Sequence, residues 1–238
     1  QYEKIVAIKV LTKGFNNHSI NDRFLREKQI LAQLRHPNIV PLLDAGVTDD
    51  GIPWFVLEFI DGLSINEYCQ NNNLDFKSIV DLMIKVCDSI HFAHTKGVIH
   101  RDIKPANILI EELDGDYNPI VLDFGIAHLD DSLELTNQGY QMGTPGYMSP
   151  EQIRGVETID SKSDVFSLGV VMYQLFSNTK PFKGDSTLDI HQSTILKNPE
   201  KLNKIIPSFP SDLQVIIETC LQKKPINRYP SALNLKQD

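Results

Sequence analysis

Cysteine, tryptophan and long apolar runs are scarce in this chain of 238 residues, and basic charge is in the minority. The three cysteines, Cys69, Cys87 and Cys220, form no Cys-x-x-Cys pair and are odd in number, which argues against a disulfide framework and for a reducing, intracellular compartment. No segment reaches the roughly 18 to 20 apolar residues of a membrane span, and the first residues lack the charged-then-apolar pattern of a secretion signal. The expectation is a soluble, cytoplasmic segment whose parent protein could carry a membrane anchor elsewhere. Lys and Arg total 23 against 31 Asp and Glu, a net charge of −8, and the basic residues are scattered among acids. That disfavours a nucleic-acid or anionic-membrane partner. Repeats and low-complexity segments are also missing. With 41% hydrophobic residues, the chain has enough apolar content to bury a core as one large domain or two lobes.

Chemistry gathers in one stretch, His100-Arg101-Asp102-Ile103-Lys104-Pro105-Ala106-Asn107, followed after a short hairpin by Asp123-Phe124-Gly125. An Asp can take a hydroxyl proton, a Lys can neutralise a phosphoryl oxygen, and an Asn with a second Asp offers hard oxygen ligands to a divalent cation. The hairpin is read from Ile108 to Ile110 and from Pro119 to Leu122, with Asp114-Gly115 as the turn. Such pairing brings Asn107 and Asp123 to the same end of two strands.

Upstream, Ile5 to Leu11 reads as a strand whose period of two puts Ala7 and Lys9 on one face. A lysine on an apolar face needs an anionic partner. The helix expected from Ser19 to the residue before Pro37 supplies a candidate, since Glu27 falls within its apolar stripe of Ile20, Phe24, Leu31 and Leu34. Trp54 to Ile60 reads as a buried strand ending at the Asp61-Gly62 turn, and Phe76 to Lys96 as an amphipathic helix stopped by Gly97. His91 and His94 lie three apart on that helix, but no further ligand follows at metal-site spacing, and they read as structural, as does His36. Asp164 to Phe176 is apolar nearly all round, the pattern of a helix buried at the centre of a domain. From Ser211, Leu213, Ile216, Ile217 and Cys220 mark one more amphipathic helix.

These motifs, each in its expected element and in order from Val6 to Arg228, resemble the eukaryotic-type serine/threonine protein kinases, and most of all their bacterial branch. The resemblance implies an α+β, bilobal fold: a small β-sheet lobe with one helix, then a larger, mainly helical lobe. Residues 1–238 would form one kinase domain, with 1–60 a partial small lobe and hinge and 61–238 the large lobe. The family's glycine-rich loop has no match before Lys9, so the sequence is expected to be an N-terminally truncated fragment, less stable and less active than its parent.

The resemblance further implies ATP and Mg²⁺ as cofactors and protein Ser/Thr hydroxyls as acceptors. Asp102 would be the catalytic base, Lys104 and Asn107 its catalytic partners, and Asn107 and Asp123 the metal ligands. Lys9 braced by Glu27 would hold the α- and β-phosphates; Ala7 and Leu109 would enclose the adenine, with Leu57 as gatekeeper and Glu58 and Ile60 offering backbone bonds. Asp164 would tie down the catalytic loop, and Glu151 would pair with Arg228. Ser149 stands where the family usually has Ala, and Lys224 where it has an acid. Arg101 beside Asp102 implies a regulatory phosphate on the loop before Gly143, at Thr136 in preference to Ser132 and added by self-association in trans, with an unmodified loop as the alternative. The competing readings are a pseudokinase acting as a scaffold or nucleotide-binding module, and a small-molecule phosphotransferase.

Overall fold

The computed structural model describes residues 4–10, 28, 29, 31–113, 115–124, 143–156 and 159–238. Glu27, Gly125, Ser132 and Thr136 lie outside them, as does most of the helix expected from Ser19; its described residues 28, 29 and 31 are helical.

Three antiparallel strands, β1 (Val6–Val10), β2 (Leu42–Val47) and β3 (Pro53–Glu58), form a sheet in the order β1-β3-β2. The strand alternation has the expected consequence. Ala7 and Lys9 are half-buried on one face, whereas Ile8 and Val10 on the other are exposed. Val40, Ala45, Phe55, Leu57 and Ile120 form a small apolar cluster at this sheet. The strand expected to reach Ile60 stops at Glu58, and Phe59 is 47% exposed.

Beyond it, β4 (Gly62–Ser64) leads into α1 (Ile65–Asn71), whose start is a capping box between Ser64 and Glu67. Helix α2 (Phe76–Thr95) buries Ile79, Met83, Val86, Ile90 and Ala93 as its spacing predicts, and Leu82 and Cys87 besides. It ends at Gly97, whose φ of +77° is open to glycine at little cost. The hairpin strands β5 (Ile108–Leu113) and β6 (Asp116–Val121) pair in a register that sets Ile108 opposite Val121, and β4 joins the free edge of β5.

The remaining elements are helical: α3 (Pro150–Ile153), α4 (Ser161–Ser177), α5 (Thr187–Leu196), α6 (Leu202–Ile205), α7 (Ser211–Cys220) and α8 (Ala232–Gln237). Helix α4 is the axis of this part: Val165, Phe166, Leu168, Val170 and Val171 are fully buried in the main core together with residues of α2, α7 and α8. The observed arrangement is therefore α+β, a small sheet region joined to a larger helical one. No helix among the described residues is long and apolar enough to cross a membrane.

Candidate active site

The loop from Val98 to Asn107 is fixed by a carboxylate that lies 64 residues further on. Asp164, in the first turn of α4, is completely buried, and its Oδ2 accepts the His100 N–H at 2.8 Å while its Oδ1 accepts the Arg101 N–H at 2.8 Å. His94 Nε2 donates to the same Oδ2 at 2.7 Å, which assigns the ring proton to Nε2 and gives the helix histidine its role. Burial pushes the Asp164 carboxyl up, but the hydrogen bond from His94, the electrostatic influence of the His94 and His100 rings and the backbone donors outweigh it and hold it below the usual carboxylate range. Arg101 takes a left-handed φ of +67°, a conformation that costs a non-glycine residue on the order of 1–3 kcal/mol. Its N–H bond to Asp164 and a 2.7 Å bond from Gln152 Nε2 to its carbonyl hold it there.

With the backbone pinned, three side chains converge on Asp102. Its Oδ1 accepts from Thr144 N at 2.9 Å and from Thr144 Oγ1 at 2.8 Å. Its Oδ2 accepts from Lys104 Nζ at 2.7 Å, and Lys104 Nζ also donates to Thr144 Oγ1 at 2.6 Å. Asn107 Nδ2 donates to the Asp102 carbonyl at 2.9 Å and, more weakly, to Oδ2 at 3.3 Å. The Asn107 amide nitrogen is thereby committed to Asp102, which leaves the amide oxygen as its group for a cation. Asp102 and Lys104 side chains remain 21% and 24% exposed, so an acceptor hydroxyl can reach them.

The second group forms where the small sheet meets the hairpin. Leu122 N donates to the Asn107 carbonyl at 2.9 Å, and His100 Nε2 donates to the Leu122 carbonyl at 2.8 Å. Asp123 follows with φ of +59°, and its Oδ1 lies 3.0 Å from Lys9 Nζ. Asp123 is thus the described ion-pair partner of Lys9. Ala7 pairs with Leu57 and Val6 with Glu58 across β1 and β3, while the Glu58 carboxylate meets Lys4 at 2.6 Å. Leu109 pairs with Ser64 on one side and Ile120 on the other. Oxygen donors from Asn107 and Asp123 on neighbouring strand ends suit a hard divalent cation, and the lysines suit phosphate oxygens.

The segment from Gly143 to Glu151 is anchored to α4. Ser167 Oγ donates to the Tyr147 carbonyl at 2.8 Å, and Tyr147 Oη donates to Gln174 at 2.7 Å. Ser149 is the N-cap of α3, forming a capping box with Gln152, so the serine that departs from the family has a job in helix initiation. Arg228 meets Glu151 through two bonds of 2.6 and 2.8 Å, and Ser163 Oγ adds a third to that carboxylate at 2.6 Å. Burial raises the Glu151 pKa, but Arg228 and Ser163 more than offset it and the group stays low. Lys224 offers no side-chain cap to the turn it opens, and the Glu151–Arg228 pair is intact without one.

The cysteines are all free and buried, and burial pushes the Cys69 thiol up to about 11 and the Cys87 thiol to about 12, which removes them as nucleophiles at neutral pH. Sequence reasoning did not foresee the Asp164 partner of His94, the Arg101 contact of Gln152 or the capping role of Ser149; of these only Ser149 carried a local signal, Ser-x-x-Gln ahead of a helix.

A family model described as "Protein kinase domain" matches residues 1–238. The chain is 36% identical over 240 residues to a probable serine/threonine-protein kinase of Clostridium perfringens, covering 99% of this chain and 34% of that protein. It is 34% identical to serine/threonine-protein kinase PknB of Mycobacterium leprae, covering 98% of this chain and 38% of that protein. With serine/threonine-protein kinase PkaA of Streptomyces coelicolor the identity is 37%, over 97% of this chain and 41% of that protein. The chain thus spans about a third to two-fifths of the length of these relatives. A match over every residue, on a fold that sets Asp102, Lys104 and Asn107 together and Lys9 against Asp123, places the chain in the protein kinase domain family.

Proposed function

We propose that this domain transfers the γ-phosphoryl group of ATP to Ser or Thr hydroxyls of proteins. The observation that carries the reading is the set of contacts on Asp102: a partly exposed carboxylate with Lys104 and Thr144 on its two oxygens. A peptide hydroxyl entering there gives its proton to Asp102 as its oxygen attacks phosphorus, and the bond to the leaving diphosphate breaks. Lys104 offers its ammonium to the transferring phosphoryl oxygens, where charge accumulates. Lys9, braced by Glu27, binds the α- and β-phosphates. Asn107 and Asp123 would hold Mg²⁺, which when bound neutralises the phosphate oxygens. Ala7, Leu57 and Leu109 form the adenine walls, and the Glu58 and Ile60 backbones read its edge.

In this reading residues 1–60 serve as the small lobe and hinge and 61–238 as the large lobe. A second copy of the protein phosphorylates the loop at Thr136, and Arg101 receives that phosphate. The test is intact-mass analysis of the full-length protein with Mg-ATP and a Ser/Thr peptide, beside Asp102→Asn. Phosphate on protein and peptide with wild type alone is the expected result. Full transfer by a well-folded Asp102→Asn protein overturns the assignment of Asp102. Nucleotide binding without transfer by wild type replaces the reading with that of a pseudokinase.

A further inference from the structure

Among the described residues, Lys180 stands out as a cation with no counter-ion in that set. It follows α4 in the turn that leads to Phe182, is half-buried, and makes no hydrogen bond or ion pair with any described residue. Its ammonium lies 4.5 Å from the centroid of the Tyr147 ring. It also lies over the backbone of Gly146: a Cβ built on that glycine would sit 3.3 Å from both Lys180 Cδ and Nζ. Gly146 has φ of +92°, so the position is suited to glycine and stays free of a side chain that would cover the cation. Burial holds the Lys180 ammonium below the ordinary lysine range.

The neighbouring charges do not answer it. Lys183 and Asp185 are exposed, and Asp189 is engaged in capping α5, its Oδ2 accepting from Ser186 N at 3.1 Å and Ser186 Oγ at 2.6 Å. An ammonium that has lost part of its water gains from the face of an aromatic ring, but a hydrogen-bonded anion supplies more.

Position says where that anion comes from. Thr144, two residues before Gly146, is bound to Asp102 through both its N–H and its hydroxyl. Consecutive Cα atoms are about 3.8 Å apart, so Gly146 lies within about 8 Å of the residue touching the catalytic carboxylate. An extended peptide rises about 3.3 Å per residue, and one whose hydroxyl sits at Asp102 carries a side chain one to three residues away past Gly146. Resting on the kinase reading above, we propose that Lys180 is a specificity-determining residue: it binds an anionic side chain, carboxylate or phosphate, within three residues of the phosphoacceptor in the protein substrate.

The experiment uses the full-length protein, Mg-ATP and peptides with one Ser acceptor, in which Gln, Glu, Lys or phosphoserine occupies each flanking position in turn. At one position Glu or phosphoserine should raise kcat/KM about five- to tenfold over Gln, mainly through KM, with a smaller gain at high salt. Comparing the Glu and phosphoserine arms identifies which anion the site takes. Lys180→Gln should erase the gain while leaving the Gln peptide, the KM for ATP and the melting temperature unchanged. Lys180→Glu should turn the preference toward Lys at the same position. No anion preference in wild type, or one that survives Lys180→Gln, overturns the role of Lys180 alone. Transfer to no peptide at all overturns the kinase reading, and this inference with it.

Discussion

Asp164 and Asp123 are two carboxylates flanking the loop from His100 to Asn107, and their surroundings differ in burial and in partners. Asp164 is fully buried and accepts from His94, His100 and Arg101, so each of its oxygens is committed to the protein. Among the described residues Asp123, 36% exposed, meets the ammonium of Lys9, whose side chain is itself 36% exposed. A buried carboxylate with all its partners in place fixes backbone geometry. A half-exposed one with a single exchangeable partner remains available to a ligand. The same contrast separates Glu151, bound by Arg228 and Ser163, from Asp102, whose oxygens face groups that a substrate can displace or share.

The comparison predicts that substituting the two aspartates by asparagine gives opposite outcomes. Asp123→Asn should lower phosphoryl transfer about 10²- to 10³-fold or more, because charge at the reacting phosphates is lost, while the thermal melt moves by less than about 2 °C. Unchanged transfer, measured with a Ser peptide, would remove Asp123 from the site. Asp164→Asn should instead show itself in denaturant unfolding, with a loss of about 3–5 kcal/mol. Its amide can present only one oxygen, so an NH₂ group must face a backbone N–H or His94. Activity would fall as a consequence of a loosened loop. A melt like that of wild type would mean that the Asp164 bonds contribute little.

Acid should separate the buried pair of carboxylates from the exposed pair. The folded pKa values of Asp164 and Glu151 are both lowered, so the unfolded chain binds more protons than the folded one as pH falls. Their stabilisation is complete above the unfolded carboxylate values near about 4 and is lost progressively as pH drops through them to the folded values. The melting temperature should therefore change little from these groups between about pH 7 and 5, then fall. In Asp164→Asn the acid slope should be shallower, since one of the two linked groups no longer titrates. Equal slopes would show that the acid sensitivity arises elsewhere.

Much of this division was legible in the sequence, for reasons that differ by element. The alternation around Lys9, the stripe of α2 and the all-apolar run of α4 are strong periodic signals, and the structure places strand, amphipathic helix and buried helix there. Helix α5 left no such signal because its pattern is inverted: His191, Ser193 and Thr194 are buried while Leu188 and Leu196 are 64% and 76% exposed. Helix α7 is in place, but its buried face includes Gln214, whose side-chain oxygen accepts from Asn203 N in the first turn of α6 at 3.1 Å. Strand β4 is three residues of pairing with β5 and reads locally as a turn. The two histidines three apart read as structural rather than as metal ligands, but the partner that gives His94 its role, Asp164, lies 70 residues away and carries no local signal. Motif resemblance supplies the roles proposed for Asp102 and Asp123, but only the fold reveals which carboxylates are fully committed to protein partners.

Ser149 gives the smallest effect and a direct way to sharpen the contrast between holding and reacting groups. Resemblance alone treats alanine at this position as equivalent, since both residues are small. The geometry does not: Ser149 N donates to Gln152 Oε1 at 2.9 Å, and the Ser149 hydroxyl accepts from Gln152 N at 3.4 Å. The second bond is long, and helix α3 has only four residues, so replacing this cap with alanine should cost about 1 kcal/mol at most. The effect reaches the site through Gln152, whose Nε2 holds the Arg101 carbonyl and thereby the strained residue next to Asp102. Ser149→Ala should thus reduce stability in denaturant unfolding by up to that amount and lower kcat slightly, with KM for ATP unchanged. Ser149→Thr, which keeps the hydroxyl, should recover part of both. An alanine variant with wild-type stability would show that the Gln152 side chain keeps its bond to Arg101 without help from the capping box.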